Sequence, residues 1–308
     1  MEWLEIVNSK FAEKEVHYKD RPGLALGEWA AREHQGFALS SIEANEISSW
    51  FEAHSRAGAH ALGELFTGAF YFDSCFWPVT VPIGYGTVKL RALDSLKTMP
   101  VSIRQMLIAD QHSLSRFIEV WLNCIDYATG LRDAVIRANA SSEKLPKIKE
   151  VRGNKGEEFI KGEEMLNSGD KELRASVSLL LEQTPSSKAL ECSALAAEMF
   201  MKAFIAVKRL LAAKKPPLTE EEAINLSHSL NRILDACLEE EPQSELGLKR
   251  GALASFPLPH ERYKAKARSR SGGRKLWEVY DVAQFISTTV VRALSGRDIR
   301  KSGKITGV

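Results

Sequence analysis

Leu190, Ala194, Ala197, Met201, Phe204 and Leu211, with Lys208 in the same row, follow one another at alternating steps of four and three. That period places every member on one face of an α-helix, whereas a strand would send alternate residues to opposite sides. Stop and start signals bracket the row. Thr184-Pro185 precedes it as cap and first turn, and Lys214-Lys215-Pro216-Pro217 closes it. Thr219-x-x-Glu222 then reads as a capping box for a second helix carrying Leu226, Leu230, Ile233, Leu234 and Cys237. A final helix is marked by Leu276, Val279, Ala283, Ile286, Val290 and Leu294. Helices with such stripes bury them against one another, so the region 171–296 is expected to be a helical bundle. The 187–213 helix is also apolar on its other side, at Leu195 and Met199, which is more surface than one neighbour covers and a reason to expect a homodimer.

Residues 1–170 are expected to form a separate helical region. The first 40 residues hold no sustained period, and Ser40-x-x-Glu43 caps a helix predicted from about 41 to 70, with Ile42, Ile47, Trp50, Phe51, Leu62, Leu65 and Phe66 inward. From Phe76 to Gly86 the chain is aromatic, β-branched and broken by Pro78 and Pro82, which denies a helix and predicts an extended edge segment or ordered loop acting as a packing arm. Apolar positions between Ile103 and Ala138 predict one long helix or two abutting ones. The polar, glycine-bearing stretch 141–169 predicts a linker or surface hairpin. The fold class is therefore mostly α, with residues 297–308 as a basic tail.

An apolar share of 44% over 308 residues suits a folded core. The start Met1-Glu2-Trp3-Leu4-Glu5 lacks the basic residues and apolar run of a signal peptide, and no stretch of about 18 uncharged apolar residues occurs. A cytoplasmic protein without membrane contact is expected. Cys75, Cys124, Cys192 and Cys237 are isolated, so reduced core thiols are expected rather than disulfides or a zinc site. His54 and His60 lie six apart on the proposed 41–70 helix, too far to share one face as metal ligands. Neither a metal nor a cofactor is expected.

The net charge of +2 hides an asymmetry: from Lys249 to Val308 there are 14 Lys/Arg against 4 Asp/Glu. Arg262, Lys264, Lys266, Arg268, Arg270, Arg274 and Lys275 place seven cations in fourteen residues, with Tyr263 among them. Each cation that meets a phosphate releases counterions, so such a cluster binds RNA or a nucleotide without reading sequence. A solvated surface segment is the alternative, and Tyr263 reads either as a base-stacking group or as an anchor at the core edge.

The order of Ala197-Glu198-Met199-Phe200-Met201-Lys202-Ala203, then Ser227-His228-Ser229-Leu230, then Arg262-Tyr263, then a closing helix resembles the HEPN superfamily over about residues 185–295. The family comprises helical bundles found in toxins, RNA-cleaving defence proteins and partners of nucleotidyltransferases. The resemblance implies a homodimer packed through the bundle helices. It also implies a ligand-facing surface at Arg262 and Tyr263, and a place for His228 at the opening of the helix after the Lys-Ala helix. HEPN ribonucleases carry an Arg followed by a His with roughly four to six residues between them. Here Arg56 to His60 is too close, Arg104 to His112 too far, and neither lies in the matching region.

Three residues remain weak candidates for catalysis. His228 is either a helix-start residue or a proton-transfer group, and His260 with Arg262 has the right residue types for metal-independent RNA cleavage in reversed order with a single residue between. The expected function is thus binding of RNA or a nucleotide by a defence or toxin-type HEPN-like protein without the family's catalytic pair. The alternatives are a non-enzymatic dimeric scaffold contacting a partner protein and an atypical metal-independent ribonuclease.

Overall fold

The computed structural model describes residues 2–14, 16, 20–33, 37–38, 41–54, 65–82, 84–85, 90–145, 158–212, 215–226, 228–257 and 272–301. The fold is mostly α, with two small two-stranded antiparallel or hairpin pairings as its β-structure. The chain divides into two compact units, one of residues 1–66 and 80–95, the other of residues 67–79 and 96–307.

In the first unit, α1 (Glu2–Glu13), α2 (Arg21–Glu33) and α3 (Ile42–His54) share a core of Leu4, Val7, Phe11, Leu26, Ile47, Trp50 and Phe51. Arg21 fixes the α1–α2 turn by donating from Nε to the Val16 carbonyl at 3.0 Å and from Nη1 to Asn8 Oδ1 at 2.9 Å. Short strands β1 (Phe37–Ala38) and β4 (Gly84–Tyr85) pair antiparallel, Phe37 opposite Tyr85.

The helix expected from about 41 to 70 ends at His54. Phe66–Phe72 is instead strand β2, which pairs with β3 (Cys75–Val81) across Asp73 and Ser74, both with positive φ. That two-residue turn, with both central residues left-handed, matches the twist of a hairpin. The strand is held by what it meets: the Ala69 N–H donates to Tyr280 Oη at 3.1 Å, and the Phe70 ring stands 5.3 Å from Phe117 and 5.6 Å from Trp277. The described parts of the proline-broken segment, in Cys75–Val81 and Gly84–Tyr85, are extended, as its composition predicts.

The second unit is built around α7 (Lys188–Ala212), which packs against α5 (Gln111–Ser142), α6 (Gly162–Leu180), α9 (Leu230–Glu240) and α10 (Gly273–Ser295). α4 (Val101–Ala109) and α5 are two abutting helices, because Asp110 is extended between them and its carboxylate accepts from the His112 and Ser113 N–H groups. Gly162 and Gly169, seven apart on α6, let that helix lie close to α7. A Cβ at Gly169 would come within 2.8 Å of the Phe200 ring, and one at Gly162 would collide with Val207. At the start of α8 (Glu220–Asn225), the Thr219 hydroxyl accepts from the Glu222 N–H, as the capping box predicts. The start expected at Thr184-Pro185 moves to Lys188, whose N–H donates to the Ser186 hydroxyl at 3.3 Å. Left-handed Gly296 closes α10.

Two expectations change here. A boundary at residue 170 falls inside α6, and the second unit reaches back to residue 96 because α5 and α6 bury their apolar faces on α7 and α10. Helices of its own chain bury 18 of the 25 residues of α7, while Leu195 and Met199, the side offered as a reason for a homodimer, are half-buried. Cys124, Cys192 and Cys237 are buried free thiols as expected, but Cys75 is exposed at the start of β3. Burial pushes the Cys124 and Cys192 thiols up to about 12.

Candidate functional site

Glu198 faces the core from the middle of α7 and is 1% exposed. A carboxylate there needs partners, since an isolated buried charge costs several kcal/mol or neutralises. It has two kinds. Lys202, one turn on, donates from Nζ to Oε1 at 2.9 Å, and His228, in the turn between α8 and α9, places Nδ1 3.0 Å from both carboxylate oxygens. An ionised carboxylate only accepts, so Nδ1 carries the hydrogen and Nε2 is the nitrogen left to exchange protons. The imidazole is 59% exposed while the Lys202 side chain is 11% exposed. The cluster is therefore an outward-facing imidazole oriented by a buried carboxylate, an arrangement able to move a proton to or from a bound group.

A second buried charge centre lies between α5 and α10. Asp126 Oδ2 accepts from Arg292 Nε at 2.6 Å, Asp126 Oδ1 accepts from the Ile299 N–H at 2.7 Å, and Asn123 Oδ1 accepts from Arg292 Nη2 at 2.7 Å. Beyond it Arg300 donates to Asp298 and to Glu245. The Arg300 hydrogen bonds hold the Asp298 carboxyl down at about 2, against the opposing effect of burial. A third, on α10, is Asp281, whose carboxyl is raised by burial even though Arg116 stands 3.4 Å away and Lys249 3.9 Å. With Phe285 and His112 these line a cavity of about 580 Å³.

Of the residues singled out from the sequence, His228, Arg274 and Lys275 fall among those described. Arg274 and Lys275 are exposed in the first turn of α10, Arg274 donating to Glu278 one turn on at 3.3 Å. Gly272, the cap of that helix, supplies no side-chain acceptor. His260, Arg262, Tyr263, Lys264, Lys266, Arg268 and Arg270 lie outside the described residues, as does the tail from 302. Among the described residues there is no group of three or more side chains able to hold a metal, and no helix long and apolar enough to cross a membrane.

The Glu198–Lys202 spacing reads from the sequence as a pair worth a few tenths of a kcal/mol if exposed. The structure buries it and adds His228. For three of these residues the sequence carries a signal, isolation: Glu198 and Lys202 are the two charges in the run 194–207, and Arg292 stands alone in Val290-Val291-Arg292-Ala293-Leu294. In comparisons with known proteins, no family model, no curated sequence and no solved structure matches the chain.

Proposed function

We propose that this chain is a HEPN-like helical protein that binds RNA or a nucleotide through the basic segment 262–275, without the catalytic Arg and His pair of the family's ribonucleases. The supporting observation is the junction of that segment with α10. Arg274 and Lys275 stand exposed on its first turn, and the Gly272 cap supplies no side-chain acceptor for the orphan N–H groups there. Such a turn carries a partial positive charge that favours a phosphate, with the Lys275 N–H already taken by the Gly272 carbonyl at 2.9 Å. Five further cations precede it in the sequence. The placement in bacterial defence or toxin systems rests on the family resemblance alone.

The test is fluorescence anisotropy with a labelled single-stranded RNA 12-mer and with labelled ATP, over a salt series. Binding is expected to weaken linearly on a log–log plot of affinity against salt, with a slope tracking the number of phosphates met. The triple change Lys266→Glu, Arg268→Glu and Arg270→Glu is expected to abolish it with the melting temperature kept. Equal affinity of that variant at low salt overturns the proposal.

The geometry at Glu198 favours one second reading, an atypical metal-independent ribonuclease with His228 as general base. The observation behind it is the 3.0 Å approach of Nδ1 to a buried carboxylate. General acid–base help of this kind contributes about 10²–10⁴-fold. Cleavage of tRNA by the purified protein, lost in His228→Ala and kept in the charge-reversed triple variant, would select this reading over binding alone. Uncut RNA in the unmodified protein removes it.

A further inference from the structure

Tyr71 on β2 and Phe76 and Trp77 on β3 are each half-buried, so one hairpin leaves three aromatic side chains partly in solvent. Single exposed apolar groups are ordinary, whereas a contiguous patch marks a binding surface. The rings are held in place. Tyr71 and Phe76 stand 5.0 Å apart between centroids, and Trp77 Nε1 donates to the Phe72 carbonyl at 3.0 Å. Tyr71 also lies against the start of α10, where a Cβ at Gly273 would come within 2.7 Å of its ring. Beside these rings is a cavity of about 520 Å³, walled by Phe76, Trp77, Leu180, Pro185, Gly273 and Leu276. Among the described residues of its lining one is charged, the exposed Glu182, so an anion gains nothing inside while a flat neutral ring meets aromatic and aliphatic surface. The cations stand at the edge: Arg274 and Lys275, exposed on the first turn of α10, follow directly on the wall residue Gly273.

We propose that this cavity takes an unpaired base of single-stranded RNA, with the neighbouring phosphates on Arg274 and Lys275. The proposal rests on the RNA-binding reading above and narrows its ligand. Stacking on an aromatic face accepts any base, because every base has a π-face, and this suits a surface that reads charge rather than sequence. A base inside a duplex is already covered on both faces and cannot enter, so the cavity selects unpaired strands. The Arg274–Glu278 pair is solvent-exposed at both ends, 86% and 48%, so it holds the guanidinium weakly and a phosphate can take it. A strand suits the charge better than a free nucleotide does: the seven cations between 262 and 275 outnumber the charges of one nucleotide and match a run of phosphates.

The test uses the whole chain with three probes: a single-stranded RNA 12-mer, the same strand with abasic positions, and the matching RNA duplex. Cys75 is the exposed member of the four cysteines and lines the cavity, so its alkylation by N-ethylmaleimide reports on occupancy. With each probe at about ten times its own Kd, the base-bearing strand is expected to slow alkylation by about tenfold, the reciprocal of the fraction of sites left empty. The abasic strand and the duplex are expected to leave the rate unchanged. Phe76→Leu keeps apolar bulk and removes the ring. By anisotropy it is expected to weaken the base-bearing strand by about fivefold, the lower end of what stacking on a base is worth, with the affinity for the abasic strand kept. An alkylation rate that no probe changes or that all three change alike, or equal weakening of both strands by Phe76→Leu, overturns the base-binding cavity and leaves charge-driven binding standing. Failure of every probe to bind overturns both.

Discussion

Asp126 and Glu198 are carboxylates of equal burial, each 1% exposed on a long core helix, yet their surroundings differ in kind. Asp126 is closed. Its two oxygens are taken by the Arg292 guanidinium and the Ile299 N–H, and Arg292 is itself 7% exposed, so the whole centre lies inside the protein and ties α5 to α10 and the turn beyond it. Glu198 is open on one side, because one of its partners is an imidazole more than half in water. A charge sealed on every side can brace helices but cannot exchange a proton with a ligand. A charge that touches a solvent-facing imidazole can. Burial of the acid alone does not distinguish the two; the exposure of its partner does.

The comparison can be broken by removing each acid in turn. Asp126→Ala leaves the Arg292 guanidinium unpaired in the core and is expected to cost about 3–5 kcal/mol in urea unfolding. Glu198→Ala strands Lys202 at 11% exposure beside a ring that admits water, and about 2–3 kcal/mol is expected by the same measurement. Equal losses would show that Glu198 is as sealed as Asp126 and would remove the distinction. Asp298 gives a smaller effect with a pH signature. Its folded pKa, about 2, lies below the ordinary aspartate value, so its contribution is fully present above about pH 4 and is lost as the pH falls through about 2. Asp298→Asn is expected to cost about 1–2 kcal/mol at neutral pH and to flatten stability between pH 4 and 2; an unchanged acid limb refutes this. The smallest effect belongs to His228→Ala. An imidazole 59% in solvent contributes less than about 1 kcal/mol, so a larger loss would mean that His228 braces the fold rather than facing a ligand.

How far these features can be read from the sequence depends on how local their causes are. The α7 stripe and the Thr219 cap lie within a few residues of chain, and both are plain there. The β2 strand is not, since Leu65 and Phe66 continue the helical spacing begun at Ile42, and what makes them a strand is pairing with β3 and a hydrogen bond to Tyr280 211 positions away. The Glu198 cluster shows the same limit. An i, i+4 Glu–Lys pair looks identical on a surface and in a core, and His228 joins it from 30 residues on. Asp126 and Arg292 lie 166 residues apart, beyond any spacing rule.

The position of α7 in the chain also orders events in time. Its partners α5 and α6 come before it, but α10 begins only at Gly273, about 60 residues after α7 ends. At roughly 5–20 residues per second of synthesis, the side of α7 that α10 will cover waits some seconds after α7 itself is made. Through that interval the nascent chain carries a bare apolar helix face, and its protection falls to whatever escorts newly made protein. A helix so enclosed in the finished molecule is bare on that side while the molecule is being made.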